Sequence, residues 1–152
     1  MRARGWLLLP RLYLGIVFAV ASVGKLTQGA DFAGPMSGLL TNVTLKNGYG
    51  WYAPFVRTVV LPNAHLFAML VIAGEAFVAI SMLFGLMTRL GAVVAIFLLA
   101  NYVSAKGVAL WSPGSNDVAD IVLALVVLCG GAGRICGIDA SLAKRFPKVP
   151  LW

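Results

Sequence analysis

The sequence predicts an all-α membrane protein, a bundle of four transmembrane helices in one domain that comprises residues 1–152. Composition gives the first reason, because 61% of the residues are hydrophobic and only 11% are charged. A soluble domain averages about 45–50% apolar and about 25% charged residues. A soluble chain of 152 residues could not bury so much apolar surface. The second reason is that the apolar residues fall into four segments, each near the ~20 residues that cross a bilayer.

The four segments comprise residues 6–26, 64–86, 90–110 and 117–136. In lipid, only α-helices and closed barrels satisfy their own backbone hydrogen bonds, and these segments lack the alternation of barrel strands. The first segment contains Pro10, which is tolerated near a helix start. It also contains Arg11, whose long side chain is expected to extend to the nearer interface.

The connection between the first two segments, residues 27–62, is much longer than the other two connections. It contains five glycines and too many apolar residues for a solvated linker. We therefore expect a partly helical interfacial loop, with its aromatic residues at the level of the lipid headgroups.

The distribution of basic residues predicts the orientation. The net charge is +7, from 12 Lys and Arg against 5 Asp and Glu. A cytoplasmic N-terminus places eight of the basic residues inside and four outside, so both termini are expected in the cytoplasm. The protein is then a multi-pass protein of the inner (cytoplasmic) membrane. The first helix resembles a secretion signal, with Ala19-Val20-Ala21 as a cleavage site, but Arg11 interrupts its apolar stretch and favours a retained helix.

Glu75 is the candidate catalytic residue with the strongest signal, because it lies at the centre of the second apolar segment. An ionisable residue inside the membrane is costly and is a functional-site hypothesis by default. The alternative is a structural glutamate that hydrogen-bonds between helices. Asp120, near the start of the fourth segment, is the second candidate catalytic residue, and its alternative role is at a helix N-terminus.

Further polar residues are predicted to join Glu75 in one pocket in the outer half of the bundle. The alternative for Asn101 is an interhelical hydrogen bond with no further role, and the alternative for both lysines is that their side chains extend to the interface. The candidate cofactor-binding residues are Lys25, Asn101, Tyr102 and Lys106.

Other chemistries are poorly supported. The single histidine, His65, excludes bis-histidine haem within this chain, and a zinc site needs more His or Cys ligands. We expect no flavin site and no binding of nucleic acid. Cys129 and Cys136 are seven residues apart, too far for a disulfide within one helix.

The order and spacing of several short motifs resemble those of the DoxX-like (DoxD/DoxX) family of bacterial and archaeal membrane proteins. The stretches that carry the resemblance are residues 11–18, 24–26, 60–67, 74–75, 85–89, 101–102, 105–107, 111–117, 132–134 and 137–139. The resemblance implies a four-helix membrane bundle. It also implies a link to quinone and sulfur redox chemistry, since family members include the hydrophobic subunit of thiosulfate:quinone oxidoreductase.

These observations together favour an integral membrane subunit of a quinone-linked, thiosulfate- or thiol-type oxidoreductase complex. The expected cofactor is a quinone, and the expected partners are membrane lipid and other membrane or redox subunits. The aromatic loop around Trp51 and Tyr52 would cover the pocket. The alternative is a non-catalytic accessory subunit of a larger membrane complex, and a small transporter is a third hypothesis.

Overall fold

The computed structural model describes residues 2–109 and 115–146, and all its regular secondary structure in these ranges is helical. A 3₁₀ turn, Arg2–Leu7, leads into α1. The α-helices are α1 (Leu8–Leu26), α2 (Ala33–Leu39), α3 (Leu45–Asn47), α4 (Tyr52–Phe55), α5 (Ala64–Phe84), α6 (Thr88–Lys106), α7 (Asp117–Gly130) and α8 (Ile138–Arg145).

Three helical stretches in the described part of the chain are long and apolar enough to cross a membrane. They are Gly5–Leu26, Tyr52–Phe84 and Thr88–Lys106. The first three predicted segments agree with them in position, although Leu110 and the linker at 111–114 lie outside the described residues.

The fourth predicted segment, 117–136, is shorter as a helix than expected. Helix α7 has 14 residues and ends at Gly130, because Gly131 takes a left-handed conformation (φ 64°). A helix of this length covers about 21 Å, less than the ~30 Å of hydrocarbon in a bilayer. The chain then makes a 3₁₀ turn at Ala132–Arg134 and begins α8.

The core lies between α1, α5, α6 and α7, the four long helices of the bundle. Small residues allow close approach of these helices, as is usual in membrane bundles. A Cβ atom on Gly15 of α1 would lie 2.8 Å from the side chain of Leu83 in α5. The buried apolar residues at the centre of the core include Leu14, Phe18, Val78, Met82, Ala92, Ala95, Leu99, Ala124 and Val127.

The connecting segment, residues 27–63, is mostly helical and packs onto one end of the bundle. It contains α2, α3, α4, two π-helical turns (Leu40–Thr44 and Val56–Val60) and two 3₁₀ turns. Its apolar side chains form a second small core with the end of α6, made of Leu40, Tyr52, Val56, Val60 and Ala105. The partly helical loop that the sequence predicts therefore forms a packed layer.

The opposite end of the bundle is held by a buried Arg11, contrary to the expectation that its side chain reaches the interface. Its side chain is 2% exposed and donates hydrogen bonds to the carbonyl oxygens of Ala132 (3.0 Å) and Ile135 (2.8 Å). Asp139 is completely buried beside it and accepts from the backbone N–H groups of Met87 (2.7 Å) and Thr88 (2.9 Å). Main-chain carbonyls accept from both terminal nitrogens of the guanidinium, so Arg11 is held inside the protein, although its Nε is buried without a hydrogen-bond partner among the described residues.

These contacts define the two ends of the molecule. We call the end with Arg11, Gly85 and Asp139 the Arg11 end. The end with Lys25, Lys106 and Asp117 is the Lys25 end, and the connecting segment covers it.

Candidate functional site

Lys25, Glu75 and Tyr102, from three different helices, are joined by hydrogen bonds, and we call these three residues the Glu75 cluster. The Glu75 carboxylate, 1% exposed, accepts hydrogen bonds from Lys25 Nζ at 2.7 Å to each of its two oxygens. The Tyr102 hydroxyl donates a further bond of 2.6 Å to Glu75 Oε1. Lys25 belongs to α1, Glu75 to α5 and Tyr102 to α6, so the cluster joins three helices of the bundle.

The depth of Glu75 follows from how α1 and α5 pair. Glu75 is at the middle of α5, as the sequence indicates, yet its partner Lys25 is the second-last residue of α1. The two helices are antiparallel, and Gly15 of α1 faces Leu83 near the C-terminal end of α5. Since Lys25 at the end of α1 reaches only to Glu75, the first half of α5 extends beyond the end of α1. The cluster therefore lies near the Lys25 end of the bundle, beneath the connecting segment.

Lys25 is the member of the cluster with access to the surroundings. Its side chain is 21% exposed, against 1% for Glu75. Its ammonium also faces the ring of Phe32 at 5.7 Å from the ring centroid. A cation over an aromatic face is attracted by the ring quadrupole. A molecule that approaches the cluster along α1 would meet Lys25 and Phe32 first.

Asn101 lies beside the cluster but bonds elsewhere. Its Oδ1 accepts a hydrogen bond of 2.9 Å from the hydroxyl of Tyr52, and its Nδ2 donates to the carbonyl of Phe97. Tyr52 is 8% exposed and belongs to the connecting segment. The Tyr52–Asn101 bond therefore ties that segment to α6, one residue from Tyr102. Trp51, next to Tyr52, is 70% exposed.

Lys106 forms a separate pair at the surface. Its Nζ is 2.7 Å from Asp117 Oδ2, and the Lys106 side chain is 43% exposed. The Ser115 hydroxyl donates to the same carboxyl oxygen at 3.0 Å. This pair connects the end of α6 to the start of α7.

Asp120 lies in α7 and is 5% exposed. Tyr13 of α1 lies close to the Asp120 carboxyl. Its Oδ1 atom is buried without a hydrogen-bond partner in the described part of the molecule. A buried carboxyl oxygen without a hydrogen bond destabilises the folded protein, so such an atom is uncommon unless it has a functional role.

The predicted site residues thus fall into four groups. Lys25, Glu75 and Tyr102 are in direct contact, Asn101 is next to them, and Lys106 and Asp120 have other partners. Sequence reasoning missed Tyr13 and Phe32 as neighbours of the polar residues, and it considered Tyr52 only as part of a cover. No periodicity marks these residues, because their contacts depend on how the helices are aligned.

The described residues contain no group of three or more His, Cys, Asp or Glu side chains that could hold a metal ion. Cys129 and Cys136 are free and exposed.

The chain matches the DoxX family model over residues 6–106. This range includes α1, the connecting segment, α5 and α6, and therefore the whole Glu75 cluster. The chain matched neither a curated protein nor a solved structure.

Proposed function

The chain belongs to the DoxX family of membrane proteins, and from this premise we propose that it is an integral membrane subunit of a quinone-linked oxidoreductase complex. The electron donor of that complex would be thiosulfate or a thiol. The quinone would bind beside the Glu75 cluster, at the Lys25 end of the bundle.

The observation that carries this proposal is the Glu75 cluster itself. Inside an apolar bundle, the Glu75 carboxylate accepts hydrogen bonds from the Lys25 ammonium at 2.7 Å and from the Tyr102 hydroxyl at 2.6 Å. Ionisable groups at such positions are rare and mark ion, proton or ligand pathways. Because all three groups can exchange protons, the cluster suits a reaction in which protons accompany electrons.

The residues present fit a quinone. An ammonium has three N–H donors, and Lys25 uses two of them on Glu75, which leaves one for a ligand carbonyl. Phe32, over the same ammonium, offers an aromatic face to a planar ring. The apolar surface of the surrounding helices suits an isoprenoid tail.

The bound quinone would supply the chemistry of a two-electron, two-proton acceptor. Oxidation of two thiols to a disulfide, or of two thiosulfates to tetrathionate, releases the two electrons. In this chain, the third N–H of Lys25 would orient the ligand by a hydrogen bond to a quinone oxygen, and Tyr102 would line the pocket while its single O–H donates to Glu75. Glu75, which contacts both, would receive and pass on protons from the Lys25 end. The electrons would come through a partner subunit or directly from the reducing substrate.

The remaining candidates have supporting roles in the proposal. Asn101 would hold Tyr52, and with it the connecting segment, over the site. Lys106 would add a cation at its rim, beside Asp117. Asp120 would serve as a second proton carrier, because its buried Oδ1 is available as an acceptor.

We further propose that α7, continued by the turn at Ala132–Arg134, forms a fourth membrane crossing and that both termini face the cytoplasm in the inner membrane. The packing of α7 against α1 and α6 supports its place in the bundle. The count of Lys and Arg in the sequence, eight on the predicted cytoplasmic side against four on the other, supports this orientation. Labelling of Cys136 by an impermeant maleimide, in inverted vesicles but not in intact cells, tests the orientation.

The experiment for the proposed reaction uses Glu75→Gln in membranes that hold the intact complex. We expect loss of thiosulfate- or dithiol-dependent reduction of decylubiquinone, while complex assembly is retained. Asp31→Asn is the matched control, because it removes the same charge from an exposed position. Unchanged turnover in Glu75→Gln would refute a proton-transfer role for Glu75.

A specific observation favours the accessory-subunit alternative. Glu75 already has both of its oxygens satisfied, and its bonds tie α1, α5 and α6 together. If the cluster only stabilises the bundle, Glu75→Gln should reduce the amount of assembled complex and leave the turnover of the remaining complex unchanged.

A further inference from the structure

We propose that the Arg11 end of the molecule carries a binding surface for anionic phospholipid headgroups, formed by α8 and the turn before it. This surface is independent of the Glu75 cluster and of the proposed redox reaction. Its central residues are Arg134, Lys144 and Arg145, with Ile138 and Phe146 beside them.

The exposed charges of the molecule are distributed unequally between its two ends. Arg134, Lys144 and Arg145 are all exposed at the Arg11 end. Asp139 is the one acidic residue of α8, and it is completely buried with its oxygens bonded to the N-terminus of α6. It therefore presents no negative charge at the surface.

The four other acidic residues of the chain lie towards the Lys25 end. Two of them are paired with lysines there, Glu75 with Lys25 and Asp117 with Lys106. The exposed charge at the Lys25 end is thus partly balanced, whereas that on α8 is cationic. A basic cluster next to a membrane helix attracts anionic lipid.

This surface also carries exposed apolar side chains at both ends of α8, close to its basic residues. Ile138 is 44% exposed and Phe146 is 47% exposed, at the start of α8 and directly after it. The Arg145 guanidinium lies over the Phe146 ring, 5.6 Å from its centroid. An interfacial helix inserts such apolar side chains below the headgroups and keeps its cations at their level.

Hydrogen bonds hold α8 in a fixed position on the bundle. The Asp139 N–H donates to the carbonyl of Gly85 at 2.8 Å, and the Asp139 carboxylate accepts from two backbone N–H groups at the start of α6. Close by, Leu9 and Phe84 are 72% and 60% exposed, as lipid-facing residues are. The cations of α8 consequently lie where the lipid-facing surface of the bundle ends, which is the headgroup level.

The experiment compares two double variants of the full chain, each with two fewer positive charges. Lys144→Gln/Arg145→Gln changes the proposed surface, and Lys46→Gln/Arg57→Gln changes two exposed cations of the connecting segment. Each protein is extracted from vesicles of phosphatidylcholine and phosphatidylglycerol in equal amounts, and native mass spectrometry measures the ratio of the lipids that remain bound. Far-UV circular dichroism verifies that both variants retain their helices.

We expect the phosphatidylglycerol preference to fall by about five-fold per removed cation in the α8 variant, since each cation near an anionic surface contributes about a five-fold preference. The preference should also decline with salt, as electrostatic screening requires. The control variant should retain the wild-type ratio. An unchanged ratio in the α8 variant, or an equal loss in both variants, would overturn the proposal.

Discussion

The hydrogen bond from Tyr102 to Glu75 gives the most direct quantitative test of the site. Removal of the hydroxyl by Tyr102→Phe deletes a 2.6 Å bond to a buried carboxylate and changes little else. Hydrogen bonds to charged groups contribute about 1.5–3 kcal/mol, so we expect a loss of about 2 kcal/mol in the free energy of unfolding. Unfolding of the purified protein in mixed micelles by increasing SDS, followed by circular dichroism, measures this difference.

A double-mutant cycle with Glu75→Met separates the bond from other effects of Tyr102→Phe. Once the carboxylate is absent, the hydroxyl has lost its acceptor, so Tyr102→Phe should cost close to nothing in the Glu75→Met background. Tyr52→Phe is the matched control, because its hydroxyl bonds Asn101 and not Glu75. Its cost, about 1 kcal/mol, should be additive with Glu75→Met. If Tyr102→Phe cost the same in both backgrounds, the assigned bond to Glu75 would be refuted.

Four further substitutions test the ends of the bundle by the same unfolding assay. Arg11→Met should cost about 3–5 kcal/mol, since it removes two short bonds to buried carbonyls, and a cost below 1 kcal/mol would contradict the buried position. Asp139→Asn should cost about 2 kcal/mol, because one acceptor oxygen at the start of α6 remains; an unchanged midpoint would count against this contact. Gly107→Ala should cost more than about 2 kcal/mol, because Gly107 has φ 63° and an added Cβ would overlap the carbonyl oxygen of Asn47. Lys106→Gln should cost less than about 1 kcal/mol, since its pair with Asp117 is exposed, and a larger loss would show that the pair is shielded.

The helical class and the positions of the long helices were predictable from sequence because they depend on local composition. An apolar run of about 20 residues has few alternatives in lipid. The end of α7 was not predictable from hydropathy, which continues past Gly130. A left-handed glycine ended the helix, and apolar residues after it entered the turn before α8.

The candidate site was predictable only in part. The position of Glu75 inside an apolar segment identified it as an energetically costly residue, and the order of the helices placed Lys25, Tyr102 and Lys106 in the same half of the bundle. The separation of Lys106 and Asp120 from the cluster depends on side-chain geometry between helices, which no spacing along one helix encodes. Arg11 was misjudged for the same reason, because its carbonyl partners are more than 120 residues away in sequence.

The offset between α1 and α5 has a practical consequence for protein engineering. Residues 64–74 of α5 rise above the level of Glu75, about 16 Å of helix, and α2 packs against α5. A deletion within residues 33–63 would therefore expose the apolar first half of α5, the longest helix, and the protein would be prone to aggregate. Fluorescent tags and epitopes are better inserted elsewhere, and crystallisation chaperones raised against this end would recognise a shape assembled from distant parts of the chain.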